Sequence, residues 1–233
     1  MHGLSLATMA LFLFLSTLLS GCAPQDAAPV PADPGRWWYY QTRAQILMEI
    51  TEQRLLVTNL GRDENFLRQR RQANWDHRYQ FTGEGLLHTQ YFNRGEGMGT
   101  LRESPALLLP KDIAVDRQWT FKSTLKLVES RTFAPEDRLA FRPLPVNMTA
   151  TIKSVDDAVS VPAGRFRGCI RVEAEGSTEV PTDRGTRSAT VQVKQTEWYK
   201  PGVGLVRVAR KETSDSQFLH NGEYTQDLLE TGH

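Results

Sequence analysis

Apolar and polar residues alternate with a period of two along much of the chain. The alternation is clearest over residues 75–81, 119–127, 148–153 and 190–194. Successive side chains of a β-strand point to opposite faces, so a sheet with one buried face and one solvated face produces this pattern. Helical periodicity is scarce. The pattern predicts a mostly β protein of about nine to ten antiparallel strands.

Two proline-glycine sequences predict tight turns between strands. In Val161-Pro162-Ala163-Gly164, proline suits the second position of a type I turn and glycine suits the fourth. In Lys200-Pro201-Gly202-Val203, the order of proline and glycine is typical of a type II turn with a positive φ at Gly202. Each turn is expected to join two antiparallel strands.

Residues 45–56 are the best candidate for a helix. Ile46, Met48 and Ile50 in this segment also fit the alternation of a strand. One short helix near an end of the domain therefore stays open at this stage.

The amino terminus has the pattern of a signal peptide. Residues 1–21 contain no Asp, Glu, Lys or Arg, and residues 4–19 form an apolar block. A spanning helix needs about twenty such residues, whereas a shorter block suits the hydrophobic region of a signal peptide. The block ends in Leu19-Ser20-Gly21-Cys22.

This tetrapeptide resembles the lipobox of bacterial lipoproteins. The resemblance implies a diacylglycerol thioether on Cys22, cleavage before that residue, and acylation, for instance with palmitate, of the new amino group. Ala23 at the next position implies sorting to the outer membrane, so we expect a lipid-anchored protein of the bacterial cell envelope and periplasm. An uncleaved anchor, or a secretory signal in which Cys22 has no role, remains as the alternative, since no Lys or Arg precedes the block.

Proline density divides the rest of the chain. Pro24, Pro29, Pro31 and Pro34 favour an extended tether, which at about 3 Å per residue would span roughly 40 Å. We expect a signal peptide at 1–21, the lipidated cysteine with its tether at 22–35, a β-domain at 36–225 and a C-terminal tail at 226–233.

Two segments resemble a recurring signature of bacterial secreted proteins and lipoproteins of largely uncharacterised function. They are VPAGRF at 161–166, followed by Cys169, and EWYKPGVGLV at 197–206. The resemblance carries no catalytic residue. By analogy with lipoproteins of this size, it implies a single curved antiparallel sheet or unclosed barrel, and a β-sandwich is the alternative.

Composition excludes several functional classes. The 28 Lys and Arg residues nearly balance the 27 Asp and Glu residues, so the chain has no nucleic-acid-binding charge pattern. No nucleophile elbow, zinc-binding His motif, paired-cysteine motif or phosphate-binding loop occurs. We therefore expect no catalytic residue, no metal site, no cofactor and no enzymatic activity, and lipidation of Cys22 is the one site assigned.

The residues that could still carry chemistry have structural interpretations. Asp76 and His77 are neighbours on a predicted strand and should point to opposite faces, so Asp76 cannot orient the imidazole. Cys169 has no intramolecular partner if Cys22 is lipidated, and nearby arginines would have to make it reactive. The adjacent carboxylates Glu136-Asp137 and Asp156-Asp157 are interpreted as solvated turns.

One stretch of the domain is rich in arginine. Its positive residues are interpreted as a solvated strand face, with contact to anionic lipid head groups or an acidic partner as the alternative. They are Arg62, Arg68, Arg70, Arg71 and Arg78.

Three hypotheses for function follow. The first is a non-enzymatic envelope lipoprotein that binds a protein partner or has a structural role. The second is a carrier or sensor of an apolar ligand or lipid, in a pocket lined by Trp119, Phe121, Leu125 and Trp198. The third is an envelope hydrolase whose site forms only in space. Membrane lipid is the partner expected through Cys22.

The anchor is tested by replacing the acylated thiol. In the Cys22→Ser variant, we expect the protein to move from the membrane fraction to the soluble fraction, because the buried acyl chains that hold it are lost. Fractionation of cells expressing either form measures this, and unchanged pelleting would contradict the lipoprotein assignment.

Overall fold

The predicted alternation is realised as one large antiparallel sheet. The structure, a computed structural model, describes residues 28–72, 75–93, 99–127, 129–130, 144–181, 188–217 and 219–233. Its strands are β1 (Trp37–Ile46), β2 (Glu49–Asp63), β3 (Phe66–Arg71), β4 (Trp75–Phe81), β5 (Gly85–Asn93), β6 (Gly99–Pro110), β7 (Gln118–Thr124), β8 (Glu129–Ser130), β9 (Pro145–Val161), β10 (Gly164–Pro181), β11 (Ser188–Lys200), β12 (Gly204–Ser214), β13 (Leu219–His220) and β14 (Gly222–Gly232).

Twelve of these strands form a single sheet that is nearly closed into a barrel. The order is β6-β5-β4-β3-β2-β1-β14-β12-β11-β10-β9-β7, while β8 and β13 pair separately. The two edge strands, β6 and β7, lie next to each other, and the Trp119 indole Nε1 donates a hydrogen bond of 2.9 Å to the Leu107 carbonyl. The expected curved sheet is confirmed in kind, and the sandwich alternative is wrong.

The sheet has more strands than the nine to ten predicted from sequence. Register shifts occur at Asn59/Gly61 between β2 and β3, at Arg78/Tyr79 between β4 and β5, and at two points between β5 and β6. Each bulge adds one residue to a strand and so interrupts the period-two pattern. Short bulged strands are therefore hard to count from alternation alone.

The segment at 45–56 is a hairpin and not a helix. β1 ends at Ile46, Leu47 takes a φ of 56°, and β2 begins at Glu49. The backbone reverses direction here. The strand interpretation of Ile46 and Ile50 is therefore correct, and the helix interpretation is wrong. The described residues contain no helix that could span a membrane.

Both turns predicted from proline and glycine are present as connections between strands. β9 ends at Val161 and β10 begins at Gly164. In the second turn, the Val203 amide donates to the Lys200 carbonyl at 2.9 Å and Gly202 has a φ of 78°, as a type II turn requires.

The core lies on the inner face of the sheet. Alternate residues of β9 and β11 are buried there, including Met148, Ala150, Ile152, Val191 and Val193. Their neighbours of opposite parity are exposed or half-buried except for Thr151, which is buried, so the alternation predicted most of the inward residues of these two strands.

The chain before β1 packs across one end of the barrel. The Ala28 carbonyl accepts a hydrogen bond of 3.0 Å from the Gly202 amide, and the Pro31 carbonyl accepts one of 3.1 Å from the Asn59 amide side chain. Val30 packs against the core. The part of the expected tether from Ala28 onward thus belongs to the folded body. At the other terminus, β14 includes residues 226–232 of the expected tail.

These contacts define two ends of the barrel. We call the end at which hydrogen bonds fix residues 28–36 to the barrel the anchored end; there the Arg36 and Trp38 side chains donate hydrogen bonds to the Gly202 and Val203 carbonyls. The distal end contains the turn between β1 and β2, ten residues further along β1. At about 3.3 Å per residue, the two ends lie about 30 Å apart.

A buried ion pair on β12 binds the segment that follows β7. Arg210 and Glu212 side chains are 2% and 0% exposed, and their closest atoms are 2.7 Å apart. Glu212 accepts hydrogen bonds from the Lys126 and Leu127 amides at 3.0 and 2.9 Å, and Arg210 donates to the Thr124 carbonyl at 2.7 Å. The segment after the edge strand β7 is therefore fixed to the inner face of β12, a strand four positions away in the sheet.

Loss of this buried charge should destabilise the fold strongly. For Glu212→Gln we expect the free energy of unfolding to fall by about 3–5 kcal/mol, because the variant leaves the Arg210 guanidinium buried without its counter-ion. Urea denaturation at neutral pH measures the change.

The matched control is Glu223→Gln, which removes the carboxylate from the exposed Lys211–Glu223 pair, 57% exposed on both sides. An exposed pair contributes about 0–1 kcal/mol. Equal effects of the two substitutions would contradict the structural role assigned to Glu212.

Candidate functional site

The inner face of the barrel lines a small, partly open cavity with mixed walls. Its volume is about 60 Å³. The apolar walls include Val30 from the N-terminal segment together with Trp38, Val57, Leu86 and Leu108. The side chains with polar groups that line it come from β1, β3, β4, β11 and β14, and they are Tyr40, Gln69, Arg71, Tyr79, Tyr199 and Gln226.

Arg71 is the charged residue of this cavity. Its side chain follows the inward parity of Leu67, and its Nη2 donates a hydrogen bond of 3.1 Å to the Tyr79 hydroxyl. Its Nε is inaccessible to solvent and has no hydrogen-bond partner. Interaction with Tyr79 is the largest of the effects that raise the pKa of Arg71, so the guanidinium stays charged.

Three tyrosines near Arg71, namely Tyr40, Tyr199 and Tyr224, are neutral. Burial is the main cause that raises the pKa of Tyr40, Tyr199 and Tyr224, although Arg71 lowers each of them in part. A phenol with a raised pKa keeps its proton at neutral pH. These hydroxyls therefore do not balance the positive charge of Arg71.

Two amide side chains complete the polar part of the cavity. Gln69 donates a hydrogen bond of 2.9 Å to the Asn59 side-chain oxygen. Gln226, only 5% exposed, accepts a hydrogen bond of 3.1 Å from the Tyr224 hydroxyl, but its Nε2 has no partner. The cavity thus has an unpaired amide donor beside a guanidinium.

Asp76 and His77 lie on opposite faces, as predicted from their adjacency. Asp76 accepts a hydrogen bond of 2.8 Å from Arg70, whereas the His77 Nδ1 lies 3.1 Å from the His88 Nε2. In the part of the chain that the structure describes, no group of three or more His, Cys, Asp or Glu could hold a metal ion.

Cys169 is a buried free thiol. It follows Gly168, which has a φ of 65°, at a point where the register between β9 and β10 shifts. Burial raises the pKa of the thiol to about 11, an effect that Lys200 opposes and Asp157 reinforces. Arg171, one of the neighbours that might have activated the thiol by its charge, pairs instead with Asp157 at 3.4 Å.

The four residues expected to line an apolar pocket are not brought together. Trp119, Phe121 and Leu125 belong to one core cluster. Trp198 belongs to another and donates a hydrogen bond of 3.0 Å to Asp157. The cavity described above contains none of them. Cys22 and the pair Glu136-Asp137 lie outside the described residues.

The arginine-rich stretch does not form a single face. Arg70 pairs with Asp76, Arg78 lies over the Phe66 ring and Arg62 over the Phe81 ring. Arg71 differs because it points into the barrel. The local arginine density hides this difference, although the parity that Arg71 shares with the buried Leu67 is a signal for it in the sequence. Gln226 was missed because it lay in the expected tail.

Comparison with known proteins gives two structural similarities. No protein-family model matches the chain. No curated protein matches it. A Bacteroides fragilis protein, provisionally described as exported and as having a YmcC-like fold, is 13% identical with a TM-score of 0.40, covering 89% of this chain and 100% of its own. A provisionally described lipoprotein from Parabacteroides distasonis is 14% identical with a TM-score of 0.38, covering 88% of this chain and 99% of its own.

The burial of Cys169 predicts an unreactive thiol. In the Cys22→Ser variant, Cys169 is the sole cysteine. We expect an aromatic disulfide reagent at pH 8 to label the native protein at least about a hundredfold more slowly than the urea-unfolded protein, since the thiolate is the nucleophile. Equal labelling rates in the two states would show that the thiol is accessible and ionised.

Proposed function

We propose that the protein is a lipid-anchored component of the bacterial cell envelope, attached through Cys22, that binds a protein partner and does not catalyse a reaction. The observation that carries this proposal is the difference between the two ends of the barrel. One end receives the N-terminal segment, and the opposite end exposes apolar side chains.

The N-terminal segment would hold the anchored end near the membrane. Only residues 23–27 separate Cys22 from Ala28, whose carbonyl is bonded to Gly202. Five extended residues span at most about 18 Å. An acylated Cys22 would therefore keep the anchored end facing the bilayer. The distance from the bilayer to the barrel would be less than half of the distance that a free tether of 13 residues allows.

The distal end presents the apolar tip of the hairpin between β1 and β2. Leu47, Met48 and Ile50 are 51%, 96% and 50% exposed. Contiguous exposed apolar residues mark interaction sites, and the flexible methionine side chain adapts to a partner surface. About 30 Å separates this tip from the anchored end, so it faces away from the bilayer that would hold Cys22.

The same hairpin offers a strand edge. The pairing of β2 with β3 begins at Val57, and among the described strands β1 alone pairs with residues 49–55. An extended segment of a partner protein can add to such an edge through main-chain hydrogen bonds. This edge favours a protein partner over a lipid, because lipid tails supply no hydrogen bonds.

The proposal is tested with a photo-reactive amino acid at position 48 of the full lipidated protein in cells. We expect a discrete cross-linked protein whose yield falls at least about fivefold when Leu47 and Ile50 are both changed to Ser, since the buried apolar area of the contact is lost. Immunoblotting measures the yield, and fractionation checks that the variant stays anchored.

The control places the same probe at Lys194, an exposed residue of β11. Adducts to phospholipid at position 48, or the same protein adducts at both positions, would overturn the assignment of the hairpin tip as a protein-binding surface.

A further inference from the structure

The interior of the barrel contains a positive charge that nothing in the described chain neutralises. Arg71 forms no ion pair with a described carboxylate, and its side-chain hydrogen bond runs to the Tyr79 hydroxyl. Arg210, the other arginine of the interior, is paired with Glu212 at 2.7 Å. A charge withdrawn from water is unfavourable unless it is paired. Arg71 therefore lacks the carboxylate partner that Arg210 has.

A second unsatisfied donor faces the same cavity. Gln226 is only 5% exposed and lines the cavity together with Arg71. Its Nε2 has no hydrogen-bond partner. In this amide orientation the Oε1 accepts a hydrogen bond from the Tyr224 hydroxyl, and the Nε2 is the unpaired group. Buried donors without a partner are rare in folded proteins. Two of them on one cavity call for an occupant that accepts hydrogen bonds.

The size and walls of the cavity define that occupant further. At about 15 Å³ of accessible space for each water-sized group, 60 Å³ accommodates about four non-hydrogen atoms. Val30, Trp38 and Leu86 supply apolar walls beside the donors. A planar carboxylate matches the geometry of a guanidinium, and a short alkyl group matches the walls.

We propose that Arg71 and Gln226 form a binding site for the carboxylate group of a monocarboxylic acid inside the barrel. The carboxylate belongs either to a free short-chain acid or to the end of a longer acid. This site is distinct from the hairpin tip at the distal end, and it does not depend on the proposed protein partner.

The test is isothermal titration of the folded mature protein with propionate, with decanoate and with chloride. We expect saturable binding of propionate at one site per chain and no comparable binding of chloride. Tighter binding of decanoate identifies a longer acid as the source of the carboxylate, and binding of propionate alone identifies a free short acid. No saturable binding of either acid, or equal binding of chloride, overturns the proposal.

Two neighbouring arginines provide matched variants. Arg71→Met keeps the length of the side chain and removes its charge, and we expect the Kd for propionate to rise at least about tenfold, as loss of a charged hydrogen bond predicts. Arg70→Met changes the adjacent arginine, which pairs with Asp76 on the outer face, and should leave the Kd unchanged. Equal effects of the two variants contradict the site.

A third variant keeps the test decisive if Arg71→Met does not fold. Gln226→Glu places a carboxylate of the chain itself beside Arg71, at nearly constant volume. We expect this internal carboxylate to occupy the site, so that propionate no longer raises the Tm as it does in the unchanged protein. A Gln226→Glu protein that binds propionate as tightly as the unchanged protein overturns the assignment.

Discussion

The buried pair of Arg210 and Glu212 is the interaction on which the closure of the sheet depends. The two residues lie on β12, yet they bind the backbone that follows β7, beyond β9, β10 and β11. A flat sheet would hold these strands far apart, so the contact requires strong curvature. Arg210 also donates to Gln195 at 2.9 Å, and such complete hydrogen bonding is the condition under which a buried ion pair is tolerated.

The closed sheet also determines what the interior can do. Curvature brings β3, β4 and β14 around a common space, so Arg71, Tyr79 and Gln226 meet although they are separated by up to 155 positions in the chain. Apolar side chains of β9 to β11 fill the other part of the barrel. The result is a packed core beside a small cavity with polar groups. A role as carrier of an apolar ligand stays a prediction.

The N-terminal segment connects this interior with the proposed anchor. Val30 forms part of the cavity wall, and Ala28, two residues earlier, is bonded to the turn after β11. The proline residues that suggested a free tether instead lead the chain across the barrel end, where Pro31 is buried. The segment is held there because its carbonyls accept hydrogen bonds from Gly202 and Asn59.

Local patterns in the sequence determined the strand content, the inward residues of β9 and β11, and the turns at Pro162 and Pro201. These features depend on the φ of a few residues and on the two-fold periodicity of a strand, which are properties of short segments. The number of strands, the packing of residues 28–36 and the different environments of Arg70 and Arg71 were decided only by the tertiary structure. Alternation shows that two adjacent side chains point in opposite directions. Only closure of the sheet decides which direction is the interior and which residues, distant in sequence, lie there.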